Sequence, residues 1–332
     1  ADPSTASTPV VTNAFDVVSY TGTGAAQDIL TDCNADFAWI KSSSHATSHE
    51  LHDTVRGEPS RLSTDSNAAD PETANGFVNF IDKGFSVDGT GSGGEVNTNT
   101  RTYSAFLWSA GSHEGNLPTL NTDGAVDSIV SVNDAAGFSI IKWTSDGGST
   151  ATTKGHGMSA AVDFAIVKSM DSSSIWMIFH KDLPQNKYIQ FNTDALSPDG
   201  GTTYFTTSTT TLGFRDGSNS SSGDRMIGYA WREISGYSKV SSYTGNGSAR
   251  SITGVGFKPR WILVKRTDSN GYSWVITDST RGVSNIFYAN LSQQQDTGQT
   301  QGITSFDSDG FSLGTAASFN ANGGNFIYFA IK

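Results

Sequence analysis

The sequence predicts an all-β protein: three tandem antiparallel β-sandwich units, each a two-sheet sandwich or jelly roll. Composition is the first observation behind this. Aromatic residues make up 11% of the 332 residues, charged residues only 16%, and glycines number 36, a profile of folded β structure and not of disorder. The second is patterning. Short β-branched and aromatic runs (FDVVSY, FAWIK, FVNFI, FSVDG, YSAFLW) are punctuated by Gly, Asn, Asp and Ser, and no long stretch has helical amphipathic spacing. The third is internal repetition, the signature of an array.

Taken in order, residues 1–13 (ADPSTASTPVVTN) are a polar lead-in, and residues 14–110 form the first unit. Its segment SYTGTGAAQDI (19–29) returns as SYTGNGSARSI (242–252) in a unit spanning 236–332. ADFAWIKSSS then matches PRWILVKRTD, DTVRG matches DSTRG, FIDKGFSVDGT matches FDSDGFSLGT, and TYSAFLW matches FIYFAIK. Between them lies a diverged unit at 135–235, where FSIIKWTSDGG replaces the first strand and its Thr-Gly turn, and VDFAIVKSMD and MIGYAWR follow. A Gly/Asn/Asp-rich connector at 111–134 joins the first two units. We expect three separate cores with strands superposing in order. The Thr-Gly-x-Gly segment reads as a turn, because a phosphate-gripping loop needs a following helix and the next residues read as strand.

Charge and length exclude several classes. A net charge of −11 with no dense Lys/Arg stripe argues against nucleic acid. No apolar run reaches the length of a membrane span. Cys33 is the only cysteine, so no intrachain disulfide forms. The chain starts at Ala1 without a Met or a signal-peptide apolar region, which we read as a processed or trimmed terminus.

Candidate chemistry is sparse, and no catalytic residue is assigned. Sugar hydrolysis needs two carboxylates facing one bond, yet Glu50, Glu58, Glu72, Glu95, Glu114 and Glu233 are scattered. Asp82, Asp88, Asp199, Asp216 and Asp309 stand near glycines, as turn residues do. His45, His49 and His52 lack the spacing of a zinc site. A loop calcium is conceivable at DSDG (307–310) or SPDGG (197–201), without the full spacing of a helix–loop–helix site. No metal or other cofactor is assigned. Most tryptophans fall inside strands, leaving Tyr204, Tyr272 and Tyr288 as the candidates for stacking on a sugar. Binding is expected from the variable loops 91–99, 197–203, 219–223 and 293–301.

One motif invites two readings. Asp53, Arg56 and Gly57 recur as Asp278, Arg281 and Gly282, while the middle unit has His180 and Leu183 in place of the Asp and Arg. Asp-x-x-Arg-Gly is either a ligand-gripping pair or a corner in which Asp caps backbone amides and Arg closes the bend. Joint loss of both charges favours the corner. On that reading Arg281→Met lowers stability by about 1–3 kcal/mol.

The assembled pattern, strongest in GYSKVSSYTGNG (236–247), resembles a tandem repeat domain of unknown function found in virion and tail-fibre proteins of tailed phages, especially marine ones. The resemblance implies lectin-like or laminin-G-like sandwiches. It also implies a non-enzymatic virion surface protein made in the host bacterial cytoplasm, a tail-fibre or receptor-binding adhesin that contacts a bacterial surface glycan. Other virion proteins and copies of the chain itself are the expected partners. The alternatives are a capsid decoration or head-fibre protein, and then a polysaccharide-degrading enzyme.

Overall fold

A computed structural model describes residues 11–57, 59–71, 78–89, 96–112, 117–184, 186–191 and 203–332. The regular secondary structure of the described chain is almost entirely antiparallel β-sheet, in three pairs of one larger and one smaller sheet. The first pair uses β1 (Phe15–Thr21), β2 (Gln27–Leu30), β3 (Phe37–Ser42), β4 (Glu50–Asp53), β5 (Val78–Ile81), β6 (Gly84–Val87) and β7 (Thr102–Trp108). Its larger sheet runs β1-β7-β3-β4 and its smaller β2-β6-β5.

The second pair uses β8 (Thr119–Asn121), β9 (Ser128–Asn133), β10 (Phe138–Thr144), β11 (Thr152–Gly155), β12 (Phe164–Ser169), β13 (Met177–His180), β14 (Ile189–Gln190), β15 (Phe205–Thr207), β16 (Thr211–Phe214) and β17 (Arg225–Trp231). The sheets run β14-β13-β12-β17-β10-β9-β8 and β11-β16-β15. The third pair uses β18 (Ser238–Thr244), β19 (Arg250–Thr253), β20 (Trp261–Arg266), β21 (Val275–Asp278), β22 (Ile286–Tyr288), β23 (Ile303–Asp307), β24 (Gly310–Leu313) and β25 (Asn325–Ile331), in sheets β18-β25-β20-β21-β22 and β19-β24-β23.

The 111–134 connector is corrected by β8 and β9. Ser128–Asn133 (SIVSVN) pairs with β10 along six residues, from Phe138↔Asn133 to Trp143↔Ser128. Its β-branched Ile129, Val130 and Val132 suit a strand, and the turn-forming residues around it concealed that pattern.

The expectation of three separate cores is also corrected. Each larger sheet presents one face to its own smaller sheet and the other to the centre of the molecule. On β3, Ala38 and Ile40 join the outer cluster with Ile29, Phe85 and Leu107, while Phe37 and Trp39 enter a central one. The central cluster takes side chains from all three larger sheets, among them Trp108, Phe138, Trp231, Trp261 and Phe329. Trp108 packs against Trp231 at 5.8 Å and Trp261 at 5.5 Å between ring centroids, and Trp231 packs against Phe329 at 5.6 Å. Covering both faces explains why every residue of β3, β4, β12, β13 and β21 is buried.

Candidate functional site

The Thr-Gly-x-Gly turns leave no free amides. Gly24 and Gly247 hold φ of +71° and +73°, and a Cβ on Gly22 or Gly245 would collide with the carbonyl of Thr98 or Ala321. In the first turn Gly22 N donates to Arg101 O, Thr23 N to Asn97 Oδ1 at 3.0 Å and Gly24 N to Asn97 O. In the third, Asn246 N donates to Asn320 Oδ1 at 2.9 Å and Gly247 N to Asn320 O. Each asparagine also reaches across with its Nδ2: Asn97 to Ala25 O and Asp88 O, Asn320 to Ser248 O and Gly314 O. The second sheet pair substitutes a carboxylate. Asp146 N donates to Asp216 Oδ2 at 3.2 Å, Trp143 Nε1 donates to Asp216 Oδ1 at 3.1 Å, and Lys154 Nζ lies 3.0 Å from Asp216 Oδ2. Asp216, read from sequence as a turn residue, is therefore a buried member of an ion pair.

At the Asp-x-x-Arg corner, Asp53 Oδ1 accepts Val55 N and Arg56 N at 3.0 and 2.8 Å, and Oδ2 accepts Arg56 Nε. Arg56 goes on to Asp70 Oδ2 at 3.1 Å and Leu51 O at 2.7 Å. Asp278 repeats the bend with Arg281 N at 2.8 Å and Nε at 2.6 Å. Gly57 and Gly282 both take φ of +90°, the conformation the bend requires. His180 caps its corner differently. Nδ1 accepts Asp182 N at 3.2 Å, so the proton sits on Nε2, which donates to Tyr328 O at 3.3 Å.

These corners cross from one sheet pair to the next. Tyr229 Oη donates to Asp53 Oδ2 at 2.7 Å, joining second to first. His180 to Tyr328 joins second to third, and the Arg281 guanidinium, 3.8 Å from the Phe287 ring, lies 5.9 Å from that of Phe106, joining third to first. A second ring of contacts uses the residue preceding β4, β13 and β21. His49 Nε2 donates to Tyr288 O at 3.0 Å, Trp176 Nε1 to Ser63 O at 2.8 Å and Trp274 Nε1 to Gln190 O at 2.9 Å. Trp39 Nε1 donates to His49 Nδ1 at 2.9 Å, which fixes His49 as the neutral Nε2–H tautomer. Burial, with Lys41 nearby, pushes His49 down to about 3. Burial and the Arg56 charge do the same to His52, also about 3.

Three lysines are wholly buried at one place in β3, β12 and β20. Lys41 Nζ donates to Ser42 O, Lys168 Nζ to Ser169 O and Ser172 O, and Lys265 Nζ to Arg266 O and Tyr272 O. Each bonds the carbonyl of the next residue, and Lys168 and Lys265 also pin the loop that follows the strand. Burial lowers Lys168 to about 8, with Asp70 opposing.

The tyrosine candidates do not converge among the described residues. Tyr204 is buried in the second outer cluster, 4.7 Å from the Tyr188 ring. Tyr272 is half-buried under the Arg266 guanidinium at 4.5 Å, and Tyr288 Oη donates to Asp296 Oδ2 at 3.0 Å. At DSDG, Asp307 accepts the hydroxyls of Ser305 and Ser312, and Asp309 the amides of Gly254 and Gly256. Glu58, Glu72, Glu95, Glu114, Asp199, SPDGG and most of loops 91–99 and 197–203 lie outside the described residues. Open clefts are present among the described residues. One, of about 330 Å³, is lined by Thr54, Gly57, Val78, Phe80, Leu117 and Pro118. Another, of about 510 Å³, lies on the first smaller sheet, lined by Gln27, Asp28, Asn79, Ser86 and Asp88.

Sequence reasoning missed Asn97, Asn320, Asp216 and the buried lysines. A signal existed for the lysines: WIKS, IVKS and LVKR place one at the same point of three apolar strands. The asparagines carried none, because Asn is common throughout the loops.

The geometry defines an all-β protein of paired antiparallel sheets whose buried polar groups tie each pair to its neighbours. The chain belongs to the family described as a domain of unknown function (DUF7483), whose model matches residues 11–332. That single match spans all three sheet pairs. No curated protein and no solved structure matches the chain.

Proposed function

We propose that this protein is a non-enzymatic structural module of a phage virion surface, a tail-fibre or receptor-binding segment that contacts a bacterial glycan. In this reading the chain is three copies of one sandwich unit closed round a common core. The registers support the repeat: Phe15↔Trp108, Phe138↔Trp231 and Ser238↔Ile331 begin equivalent ladders, and Phe37, Phe164 and Trp261 face the same three partners. The virion setting rests on the motif resemblance.

The observation that carries a structural role is the use made of the buried polar side chains at the corners and in the second ring of contacts. Asp53, Arg56, His49, His180, Asp278 and Arg281 all hold backbone or join sheet pairs. Rigidity of that kind suits loops that present a ligand surface, and tandem sites gain by multivalency. The polar cleft over Asp28, Asn79 and Ser86 offers hydroxyl, amide and carboxylate groups to a sugar. A glycan array with the purified protein tests this. Binding to bacterial surface glycans, weakened by Asp28→Ala with Asn79→Ala, is expected, and release of reducing ends from such a glycan would establish an enzyme instead.

A decoration or head-fibre role is the second reading. Exposed Leu117 and Leu120 stand at the outer edge strand β8, the kind of surface that pairs with another protein. Binding to purified capsids with no glycan bound would select it.

A further inference from the structure

Lys154 stands out among the buried lysines. It occupies the third position of β11, where β2 and β19 place Ile29 and Ile252 facing the sandwich interior. Its side chain is 1% exposed and that of Asp216 0%. Nζ lies 3.0 Å from Asp216 Oδ2 and 5.4 Å from the centre of the Trp143 ring. It also donates to Thr152 Oγ1 at 2.8 Å and to the carbonyls of Thr152 and Phe214 at 3.2 Å. Both Asp216 oxygens hold further hydrogen bonds, from Trp143 Nε1 and Asp146 N. The next turn residue, Asp146, is exposed and its carboxylate adjoins the Asp216 side chain and feels the Lys154 charge. An amine, a carboxyl group, two fixed donors and a solvent-facing carboxylate thus meet in an aromatic-walled pocket.

We propose that Lys154 and Asp216 condense with each other to form an intramolecular isopeptide bond, tying β11 to the turn after β16. The ammonium proton passes to the Asp216 carboxylate, leaving a neutral amine against a neutral acid. The nitrogen lone pair adds to Cγ of Asp216, forming the C–N bond. Trp143 Nε1–H and Asp146 N–H steady the oxygens of the tetrahedral carbon. The Asp146 carboxylate takes a proton from nitrogen and returns it to the hydroxyl that leaves. The products are one secondary amide and one water, with no oxidant, reductant or cofactor. Proximity removes the entropic barrier. Burial favours the neutral partners: it draws Lys154 down and Asp216 up, each against the pull of the other charge. The exposed Asp146 side marks the way out for the water.

Intact-mass measurement of the folded, then denatured, chain tests the proposal. The expected mass is one water, about 18 Da, below that of the sequence, with one cross-linked peptide containing both Lys154 and Asp216. Lys154→Arg keeps the ion pair but cannot form this amide, so it should show the full mass. A water loss that persists in Lys154→Arg would arise elsewhere, for example at an Asp-Gly step, and would overturn the proposal. Asp146→Asn should lose the water more slowly than the wild type. A folded wild-type chain of full sequence mass, with no cross-linked peptide, would show an ion pair only and overturn it.

Discussion

Asp278 is wholly buried and the Arg281 side chain only 4% exposed. Removing the guanidinium leaves the carboxylate with the Arg281 backbone amide alone. Arg281→Met should therefore cost about 3–5 kcal/mol, more than sequence alone indicated, because burial could not be read from the motif. Equilibrium denaturation checks this, and a loss below about 1 kcal/mol would place the pair in water. Tyr229→Phe removes the hydroxyl from Asp53 and should cost about 1.5–3 kcal/mol, as for a hydrogen bond to a charged group. The buried histidines give a pH signature. Folding lowers His49 and His52 to about 3 and, through burial, His180 to about 4, against an ordinary value of 6.5. Protonation thus favours the unfolded chain. This stability is complete above pH 6.5 and declines as pH falls toward the folded values, by about 2 kcal/mol per histidine at pH 5. Urea melts at pH 7 and pH 5 measure it, and His49→Gln should make the decline shallower. Equal stability at both pH values would contradict the burial.

At the scale of elements, the turns explain why one motif can vanish while its shape survives. Asn97 and Asn320 use an oxygen for a turn amide and a nitrogen for two carbonyls. A carboxylate in that position faces the same carbonyls without a donor, and the second sheet pair supplies Lys154 beside Asp216. Asn320→Asp should accordingly lose at least about 1–3 kcal/mol, and adding Ile252→Lys should recover part of it. A double-mutant cycle reads the coupling, and additive losses would refute the correspondence. Strand existence was legible here, since β1, β3 and β7 and their later counterparts coincide with apolar runs seen in the sequence. β8 and β9 were not, because a short edge hairpin among turn residues carries too few apolar positions to stand out.

For the whole molecule, the shared centre predicts cooperative unfolding. Trp231 packs against Trp108, Phe164 and Phe329 of three different sheets. Trp231→Ala should cost about 3–5 kcal/mol and lower one common transition in calorimetry, with van't Hoff and calorimetric enthalpies agreeing. Three resolved transitions would restore independent cores. The central strands β3, β12 and β20 are apolar on both faces in sequence, which does not say what covers the second face. A run such as FAIVKS reads the same whether its far side meets a second sheet or a neighbouring sandwich.

Closure between the first and third sheet pairs has a consequence for how the chain is made. Arg260 meets Asp16, His49 meets Tyr288 and Thr64 meets Ala289, contacts that span 244, 239 and 225 residues. Emerging from the ribosome, the first sheet pair presents Phe15, Phe106 and Trp108 with nothing yet to cover them. They stay sticky until the third sheet pair is synthesised, so non-local pairing makes closure slow and early pieces prone to aggregate. A nascent chain arrested before β20 should need a chaperone to remain soluble, and extension through β25 should end that need.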